Sequence, residues 1–320
     1  MPHVLPTDLP ADGTFGYTVE QMLQLQAPPE PPGFEAFWRD TYQQTLAVPL
    51  EMTSQPIEAL NRHFTASLLH FNGFEGLRLG AWLIVPRDTP PERFIVVGHG
   101  YYHKPFTDCG YQRGAAAIYI CCRGLSISAS PKIPKETTEH AVFGIEKKET
   151  YVHRGCVADT WSAASALLSL YPQAAGRIEY QGGSFGGGIG ATALPWDDRF
   201  IFGSLVVPSF GNYPLRVTLD SGGSGAATRK RWLKDPSVLD VLAYFDSATH
   251  AARIKVPVHV AAAAYDTVVP PPGQFTVYNA IQSPKKLFVL QAGHLDWPGK
   301  NEDEAAGVTD RETFRRSIFA

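Results

Sequence analysis

The chain has 320 residues, of which 44% are hydrophobic and 18% are charged, so it is long enough to bury a large core. The net charge is −3 and no long run of either sign occurs, so neither a nucleic acid nor an anionic membrane is expected as a partner. The four cysteines, Cys109, Cys121, Cys122 and Cys156, show no C-x-x-C or Cys/His spacing. A zinc site is therefore not expected.

Residues 1–33 are rich in proline and predict an extended N-terminal arm, whereas residues 34–320 are expected to form one domain. The N-terminus has no basic region and no apolar run of signal length. No stretch reaches the roughly 20 apolar residues that a membrane span needs, so we expect a cytoplasmic protein. Two polar stretches, 124–148 and 209–236, are too long for simple connections and predict a lid or interface insertion.

The order of apolar patterns predicts an α/β fold. Apolar residues at helical spacing predict a helix from Phe34 to about Ala47, with Phe37, Trp38, Tyr42 and Leu46 on the same buried face. Short apolar runs then predict an antiparallel pair of strands at 64–71 and 79–85. Further strands are predicted at 94–97, 116–121, 177–180, 202–207, 256–261 and 287–290, with a helix from 151 to 170. This alternation indicates a mostly parallel sheet with helices on both faces and an antiparallel N-terminal edge.

Residues 182–186 read Gly-Gly-Ser-Phe-Gly and fit the pattern G-x-S-x-G, with Ser184 at the centre. A predicted strand precedes this segment, and a run of small residues to Leu194 predicts a helix that Pro195 ends. A strand, a sharp turn and a helix with serine at the apex form the nucleophile elbow of α/β hydrolases. The alternatives are a simple glycine-rich turn and a phosphate-binding loop, but for the latter the segment lacks G-K-[ST] and its glycines are not spaced as G-x-G-x-x-G.

A serine nucleophile needs a neighbouring base and an acid that orients the base. In α/β hydrolases the three follow in the order Ser, Asp or Glu, His. Asp266 and His294 both follow predicted strands, where the side chains of parallel strands converge on one edge of the sheet. Among the ten histidines, only His294 follows both Ser184 and Asp266. Asp266 could instead be a turn residue, and Asp296 is an alternative acid, although its pattern is more typical of a solvated loop.

An oxyanion hole needs two N–H donors that face the developing negative charge. The amide of Phe185 directly follows the nucleophile, and the amide of Tyr101 lies in the loop after an early strand. The ring of Phe185 is expected to cover the acyl or alcohol side of the pocket with apolar surface. Tyr102, Phe210 and Trp297 flank strand ends and are predicted to contact the substrate.

From Pro32 to about His294 the chain resembles the acetyl xylan esterase and cephalosporin C deacetylase family, carbohydrate esterase family seven. The segments that carry the resemblance are F-x-x-F-W at 34–38, H-G-Y at 99–101, G-G-S-x-G-G-G at 182–188, R-I-K-V-P-V at 253–258 and D-x-x-x-P-P at 266–271. The chain departs from the family at Phe185, where the family has Gln, at Leu125-Ser126 in the R-G-Q-G segment, and at Leu295 in place of Glu.

The resemblance implies an α/β-hydrolase fold, a Ser184, Asp266 and His294 triad, and oxyanion donors at Tyr101 and at the residue after the nucleophile. It also leaves a homo-oligomer open. We therefore expect a serine esterase that removes small acyl groups, above all acetyl, from hydroxyls of sugars or similar alcohols through an acyl-enzyme, with no metal or cofactor. Two alternatives stay open, namely a hydrolase of another ester or amide, and a binding protein that kept the fold without activity.

Overall fold

One nine-stranded sheet organises the protein. The computed structural model describes residues 11–101 and 105–320. The strands are β1 Thr53–Ile57, β2 Phe64–Asn72, β3 Arg78–Pro86, β4 Arg93–Gly98, β5 Ala115–Ile120, β6 Ile178–Gly183, β7 Phe200–Val206, β8 Val258–Tyr265 and β9 Lys285–Ala292. Their order across the sheet is β1-β2-β3-β5-β4-β6-β7-β8-β9.

The helices lie in the connections between these strands and at the two ends of the chain. Within the described residues they are α1 Val19–Met22, α2 Phe34–Leu46, α3 Thr137–His140, α4 Val152–Leu170, α5 Phe185–Ala193, α6 Tyr213–Arg216, α7 Gly223–Lys234, α8 Val238–Leu242, α9 Ser247–Ala251, α10 Pro271–Ala280 and α11 Lys300–Phe319. None of these helices is both long and apolar enough to cross a membrane.

The prediction of a mostly parallel sheet with an antiparallel N-terminal edge is confirmed. Strands β5, β4, β6, β7, β8 and β9 run parallel to one another, whereas β1 with β2, β2 with β3 and β3 with β5 pair antiparallel. The sequence pattern does not predict β1, because its residues Thr-Ser-Gln-Pro-Ile are mostly exposed and show no apolar alternation. Proline is tolerated there because β1 is an edge strand.

Helices cover both faces of the sheet, as the alternation along β6 shows. The ring of Tyr180 faces α5 and occupies the space where Gly190 would carry a side chain. The neighbouring Glu179 is buried on the opposite face, where it binds Arg93 of β4 and Arg315 of α11 at 2.6 Å each. Two arginines around one buried carboxylate therefore fix the C-terminal half of α11 against the sheet.

The helix predicted from Phe34 forms as α2 and packs as expected at its first two turns. Phe34 and Trp38 are fully buried, and the Trp38 ring lies 6.2 Å from that of Trp161 and 6.4 Å from that of Trp196. The expectation for Leu46 is wrong, since it is 44% exposed at the end of the helix.

The described part of the N-terminal arm, residues 11–33, lies against the carboxyl-terminal half of the chain. The side-chain amide of Asn279 donates to the carbonyls of Met22 and Leu25, at 2.9 Å each. The hydroxyl of Thr249 donates to the carbonyl of Pro28 at 3.0 Å. These bonds satisfy backbone carbonyls that the arm, which lies outside the sheet, would otherwise leave to water.

The two long polar stretches, 124–148 and 209–236, both contain short helices. Helix α3 in the first packs against α7 in the second. That these stretches act as a lid or an interface remains a prediction.

Candidate active site

Ser184 stands at a strained turn between β6 and α5. Its backbone has φ 55° and ψ −117°, a combination that a residue with a side chain rarely adopts. Two hydrogen bonds hold the turn, from the Ser184 amide to the Val206 carbonyl at 2.8 Å and from the Gly188 amide to the Ser184 carbonyl at 3.0 Å. Glycine is required at 186, because a Cβ there would lie 2.8 Å from the carbonyl oxygen of His99. This arrangement has the geometry of a nucleophile elbow.

The structure brings Ser184, Asp266 and His294 into one chain of hydrogen bonds. The Nε2 of His294 lies 3.0 Å from the Ser184 Oγ, and its Nδ1 lies 2.8 Å from the Asp266 Oδ2. A carboxylate accepts hydrogen bonds, so Nδ1 carries the ring hydrogen and Nε2 is free to accept the serine proton. Asp296 lies outside this chain of bonds, since its side chain is 99% exposed and its nearest cation is Lys300 at 3.9 Å.

Asp266 is fully buried, and every described partner around its carboxylate is a donor. The amides of Val268 and Val269 donate to Oδ1 at 2.9 and 3.0 Å. The side-chain amide of Gln274 donates to Oδ2 at 3.1 Å. Gln274 is itself held, because its Oε1 accepts from the Ala263 amide at 2.8 Å. No sequence pattern points to Gln274, which lies on α10 and reaches the site only through the fold.

The loop after β4, which carries the predicted donor Tyr101, is fixed by His99. The amide of Cys122 donates to Nε2 of His99 at 3.0 Å, so the ring hydrogen lies on Nδ1 and points at the Gly100 carbonyl 2.6 Å away. The carbonyl of His99 accepts from the amide of Gly186 at 2.9 Å. The loop and the start of α5 are therefore locked to each other.

The two residues predicted to supply oxyanion donors also pack side by side. The rings of Tyr101 and Phe185 have centroids 4.3 Å apart. The Tyr101 hydroxyl donates to Nδ1 of His140 at 2.5 Å, and Nε2 of His140 donates to the Arg123 carbonyl at 2.9 Å. Burial lowers the pKa of His140 to about 4, which keeps it in the neutral form that accepts this bond. Side-chain packing thus orients the two segments whose amides we expect to hold the oxyanion.

The ring of Phe185 does not take the position expected from the sequence. It is fully buried among the rings of Tyr101, His153 and Phe210, so it offers no surface to a substrate. The expectation that it covers the acyl or alcohol side of the pocket is wrong. The reason is that Phe185 opens a helix packed against α4, and its side chain follows that packing.

The three residues predicted to contact the substrate fall into different settings. Tyr102 lies outside the described residues. Phe210 is buried beside the elbow, with its ring 5.9 Å from that of Phe185. Trp297 is buried in a small cluster with Tyr265 and Ala292, beyond the ends of β8 and β9. Contact of any of them with substrate remains a prediction.

Two polar groups near Phe210 were not predicted from the sequence. The guanidinium carbon of Arg216 lies 5.9 Å from the centre of the Phe210 ring, and only 5% of the residue is exposed. Burial lowers the pKa of Arg216, and its Nε has no partner among the described residues. The Nε2 of the buried His153 is also unpaired within the same part of the chain. Unpaired buried polar atoms are costly, so both side chains are candidates for contact with substrate or water.

One group of potential metal ligands occurs within residues 11–101 and 105–320, namely Cys122, Cys156 and Asp159. The Asp159 carboxylate is already bound by the Arg123 guanidinium at 2.7 Å. A hydrogen bond to Cys156, together with burial, raises the pKa of the Cys122 thiol. A metal prefers thiolates and free carboxylates, so this group does not fit a metal site.

Comparison with known proteins decides the family. The model of the family described as "Acetyl xylan esterase (AXE1)" matches residues 18–306, which is most of the chain. The chain belongs to this family. It is a carboxylic ester hydrolase, as the resemblance in its sequence motifs implied.

Its relatives in the acetyl xylan esterase family are distant in sequence. The acetyl esterase Axe7A of Xylanibacter ruminicola is 21% identical over 305 residues, which cover 90% of this chain and 70% of that protein. Among solved structures, an acetyl xylan esterase from Paenibacillus sp. R4 superposes with a TM-score of 0.80 at 21% identity, covering 92% of this chain and 99% of the other. Acetyl xylan esterase 1 from Thermoanaerobacterium sp. JW/SL YS485 gives a TM-score of 0.78 at 21% identity, over 91% and 97% of the two chains. The predicted α/β-hydrolase fold is confirmed.

Proposed function

We propose that this protein is a serine esterase that removes acetyl groups from hydroxyls of sugars or similar alcohols through an acyl-enzyme. The observation that carries the proposal is the chain of bonds from Ser184 through His294 to the buried Asp266. The acetyl group is favoured because the family and the curated relative Axe7A are named for acetyl esters.

The first half of the reaction forms the acyl-enzyme. His294 Nε2 takes the proton of the Ser184 hydroxyl as Oγ attacks the ester carbonyl carbon. Negative charge develops on the carbonyl oxygen, where the amides of Tyr101 and Phe185 hold it at the N-terminus of α5. The carbonyl re-forms as the C–O bond to the alcohol breaks, and Nε2–H gives its proton to the leaving oxygen.

The second half returns the enzyme to its starting state. A water molecule takes the place of the alcohol and gives its proton to His294 as it attacks the acyl carbon. The bond to Ser184 Oγ then breaks, Oγ recovers its proton from Nε2, and the carboxylic acid leaves. Throughout, Asp266 stabilises the imidazolium and keeps the hydrogen on Nδ1, while Gln274 and the amides of Val268 and Val269 keep Asp266 in place.

A pair of matched substitutions tests the assignment of the acid. Asp266→Asn is expected to lower kcat on p-nitrophenyl acetate by about 10⁴-fold, because an amide favours the wrong imidazole tautomer. Asp296→Asn, two residues from His294 but exposed, is the control and is expected to keep wild-type activity. Ser184→Ala and His294→Ala should each abolish turnover, and the double variant should lose no more than either single one. Additive losses, or a larger effect at Asp296, would contradict the proposed triad.

A further inference from the structure

A cavity of about 390 Å³ lies between α11 and the last three strands of the sheet. His294 and Gly293 form part of its wall, so it borders the proposed catalytic base directly. Its volume is within the range of small-molecule sites and would hold about a dozen waters at about 30 Å³ each, so it is more than a packing defect.

The cavity exists because of the sequence of α11. The helix turns one stripe toward the sheet, made of Lys300, Glu304, Gly307, Val308 and Arg311. Their spacing of four, three, one and three residues places them on one face, where a helix that packs on a sheet normally carries large apolar residues. Because most residues of this stripe are charged or small, the N-terminal half of α11 lacks the large apolar side chains that would fill the space against the sheet.

The opposite wall comes from the sheet and is mostly apolar. Val206 of β7, Ala261 of β8 and Leu290 of β9 lie on the face that α11 covers. Val206 also ties the cavity to the nucleophile, because its carbonyl accepts the hydrogen bond of the Ser184 amide at 2.8 Å. The sheet side of the cavity is thus mostly apolar, with Ser204 and His259 two positions before Val206 and Ala261 as its polar members, and the helix side is mostly polar.

The strand order indicates which part of an ester would enter this cavity. Ser184 follows β6, and the loop with the Tyr101 amide follows β4 on one side of it. His294 follows β9, on the other side, and the cavity lies over β7, β8 and β9. The carbonyl oxygen must point toward the β4 side, whereas the leaving oxygen must lie within reach of His294 Nε2. The alcohol portion therefore extends toward the cavity.

We propose that this cavity beneath α11 binds the alcohol portion of the substrate, and that it selects a single ring with one apolar face and polar edges. The apolar face would rest on Val206, Ala261 and Leu290, and the edge would face Lys300 and Glu304. A pyranose and a hydroxylated aryl ring share this chemistry. The proposal rests on the esterase function proposed above, and it adds the identity and location of the alcohol site.

The test fills the cavity and compares acetates that differ only in the alcohol. Val308→Trp fills it from the helix side and Ala261→Leu from the sheet side. Val289→Trp is the matched control, since Val289 is 38% exposed against 48% for Val308, lies on β9, and is not part of the cavity wall. The substrates are ethyl acetate, an acetylated methyl xylopyranoside and an aryl acetate, and thermal unfolding checks that each variant is folded.

Both filling variants are expected to lower kcat/KM for the ring acetates by about tenfold or more. The kcat/KM for ethyl acetate should change little, because only a ring needs the space that the new side chains occupy. A selective loss for the sugar would identify a saccharide alcohol, and one for the aryl ester an aromatic alcohol. Equal changes on ethyl and ring acetates, or wild-type ratios in both folded variants, would overturn the alcohol site while leaving the esterase function standing. A wild-type protein that hydrolyses none of the esters would contradict the proposed function itself.

Discussion

The carbonyl oxygen of Gly13 accepts a hydrogen bond from the backbone amide of Asp266 at 2.9 Å. The N-terminal arm thus holds the proposed catalytic acid by its main chain, although 253 positions separate the two residues in the sequence. Gly13 also lies on the ring of Tyr265, where a Cβ would approach the ring atoms to 2.7 Å. The hydroxyl of Tyr265 in turn donates to the Ala11 carbonyl at 2.8 Å. The arm therefore helps to hold the proposed active site.

The first prediction is that Gly13→Val lowers kcat about tenfold with little change in KM. The added side chain cannot fit against Tyr265, so the arm must shift and the Asp266 amide loses its partner. Steady-state kinetics on p-nitrophenyl acetate measure the effect. Gly110→Val is the control, because a Cβ there meets no atom within 4 Å. Wild-type kinetics for Gly13→Val would show that the arm plays no part in holding the acid.

The second prediction concerns Gln274, whose side-chain amide donates to Asp266 at 3.1 Å and to the Val269 carbonyl at 2.6 Å. Gln274→Ala removes both bonds and is expected to lower kcat about tenfold, because the carboxylate can rotate away from His294. Gln274→Glu should not restore activity, since a second carboxylate would repel the first. Gln282→Ala, just past the end of α10, is the control. Equal kcat values for Gln274→Ala and Gln282→Ala would refute this positioning role.

The third prediction is that the protein loses stability as the pH falls below about 6.5, in part through His250. This side chain is fully buried, accepts from the Trp196 indole at 3.0 Å and donates to the Tyr244 carbonyl at 3.0 Å. The bond from Trp196 needs the neutral ring, because a protonated Nδ1 cannot accept, and burial lowers the pKa of His250 to about 3. Between the unfolded pKa of about 6.5 and this value only the unfolded chain takes up the proton. The contribution is therefore complete above pH 6.5 and falls by about 1.4 kcal/mol per pH unit below it.

Urea unfolding between pH 7 and pH 4.5 measures this slope. His250→Gln can keep both hydrogen bonds without a titrating ring, so its free energy of unfolding should fall less steeply with decreasing pH. Burial raises the pKa of Asp246 to about 6, which gives an opposite slope between about pH 4 and 6 in both proteins and cancels in the comparison. His63→Gln, on the surface, controls for the loss of an imidazole. Identical slopes for wild type and His250→Gln would contradict the prediction.

Local patterns predicted the central strands and the elbow because the residues that determine them are adjacent in the chain. The alternation of apolar and small residues around Ser184 is visible over a dozen positions, and the chain order alone placed Asp266 and His294 at strand ends. Strand β1 and helix α11 were missed for the opposite reason. Both are polar, and ion pairs such as Glu179 with Arg315, which hold α11, join residues 136 positions apart.

The same distinction explains the candidate site. The three proposed triad residues follow from motif and order. Two of the groups that hold Asp266, on Gly13 and Gln274, are connected to it by no spacing rule. The burial of the Phe185 ring likewise could not be predicted from the sequence, because it depends on how α5 packs against α4 and Phe210. The motif thus predicts the backbone turn at Ser184, but not where the neighbouring side chain packs.

The fourth prediction follows from that burial. Phe185→Gln should lower the free energy of unfolding by about 2–4 kcal/mol, because it replaces a packed ring by an amide without partners. The ratio of activities on an acetylated xylo-oligosaccharide and an aryl acetate should stay constant, since the ring does not reach the surface. Phe143→Gln, at a ring that is 38% exposed, is the control for stability. Unchanged stability, together with an activity ratio that shifts toward the sugar ester, would show that the ring contacts the alcohol portion of the substrate.

The fifth prediction concerns the acyl-enzyme, on which the whole account depends. Rapid acid quenching of the wild-type protein during turnover of p-nitrophenyl acetate, followed by peptide mapping with mass spectrometry, locates any acetyl group on the chain. We expect one acetyl group, on Ser184, that appears within the first turnover and disappears when substrate is exhausted. Turnover at the wild-type rate with no acetyl group on Ser184, or with the acetyl group on a different residue, would contradict the proposed mechanism.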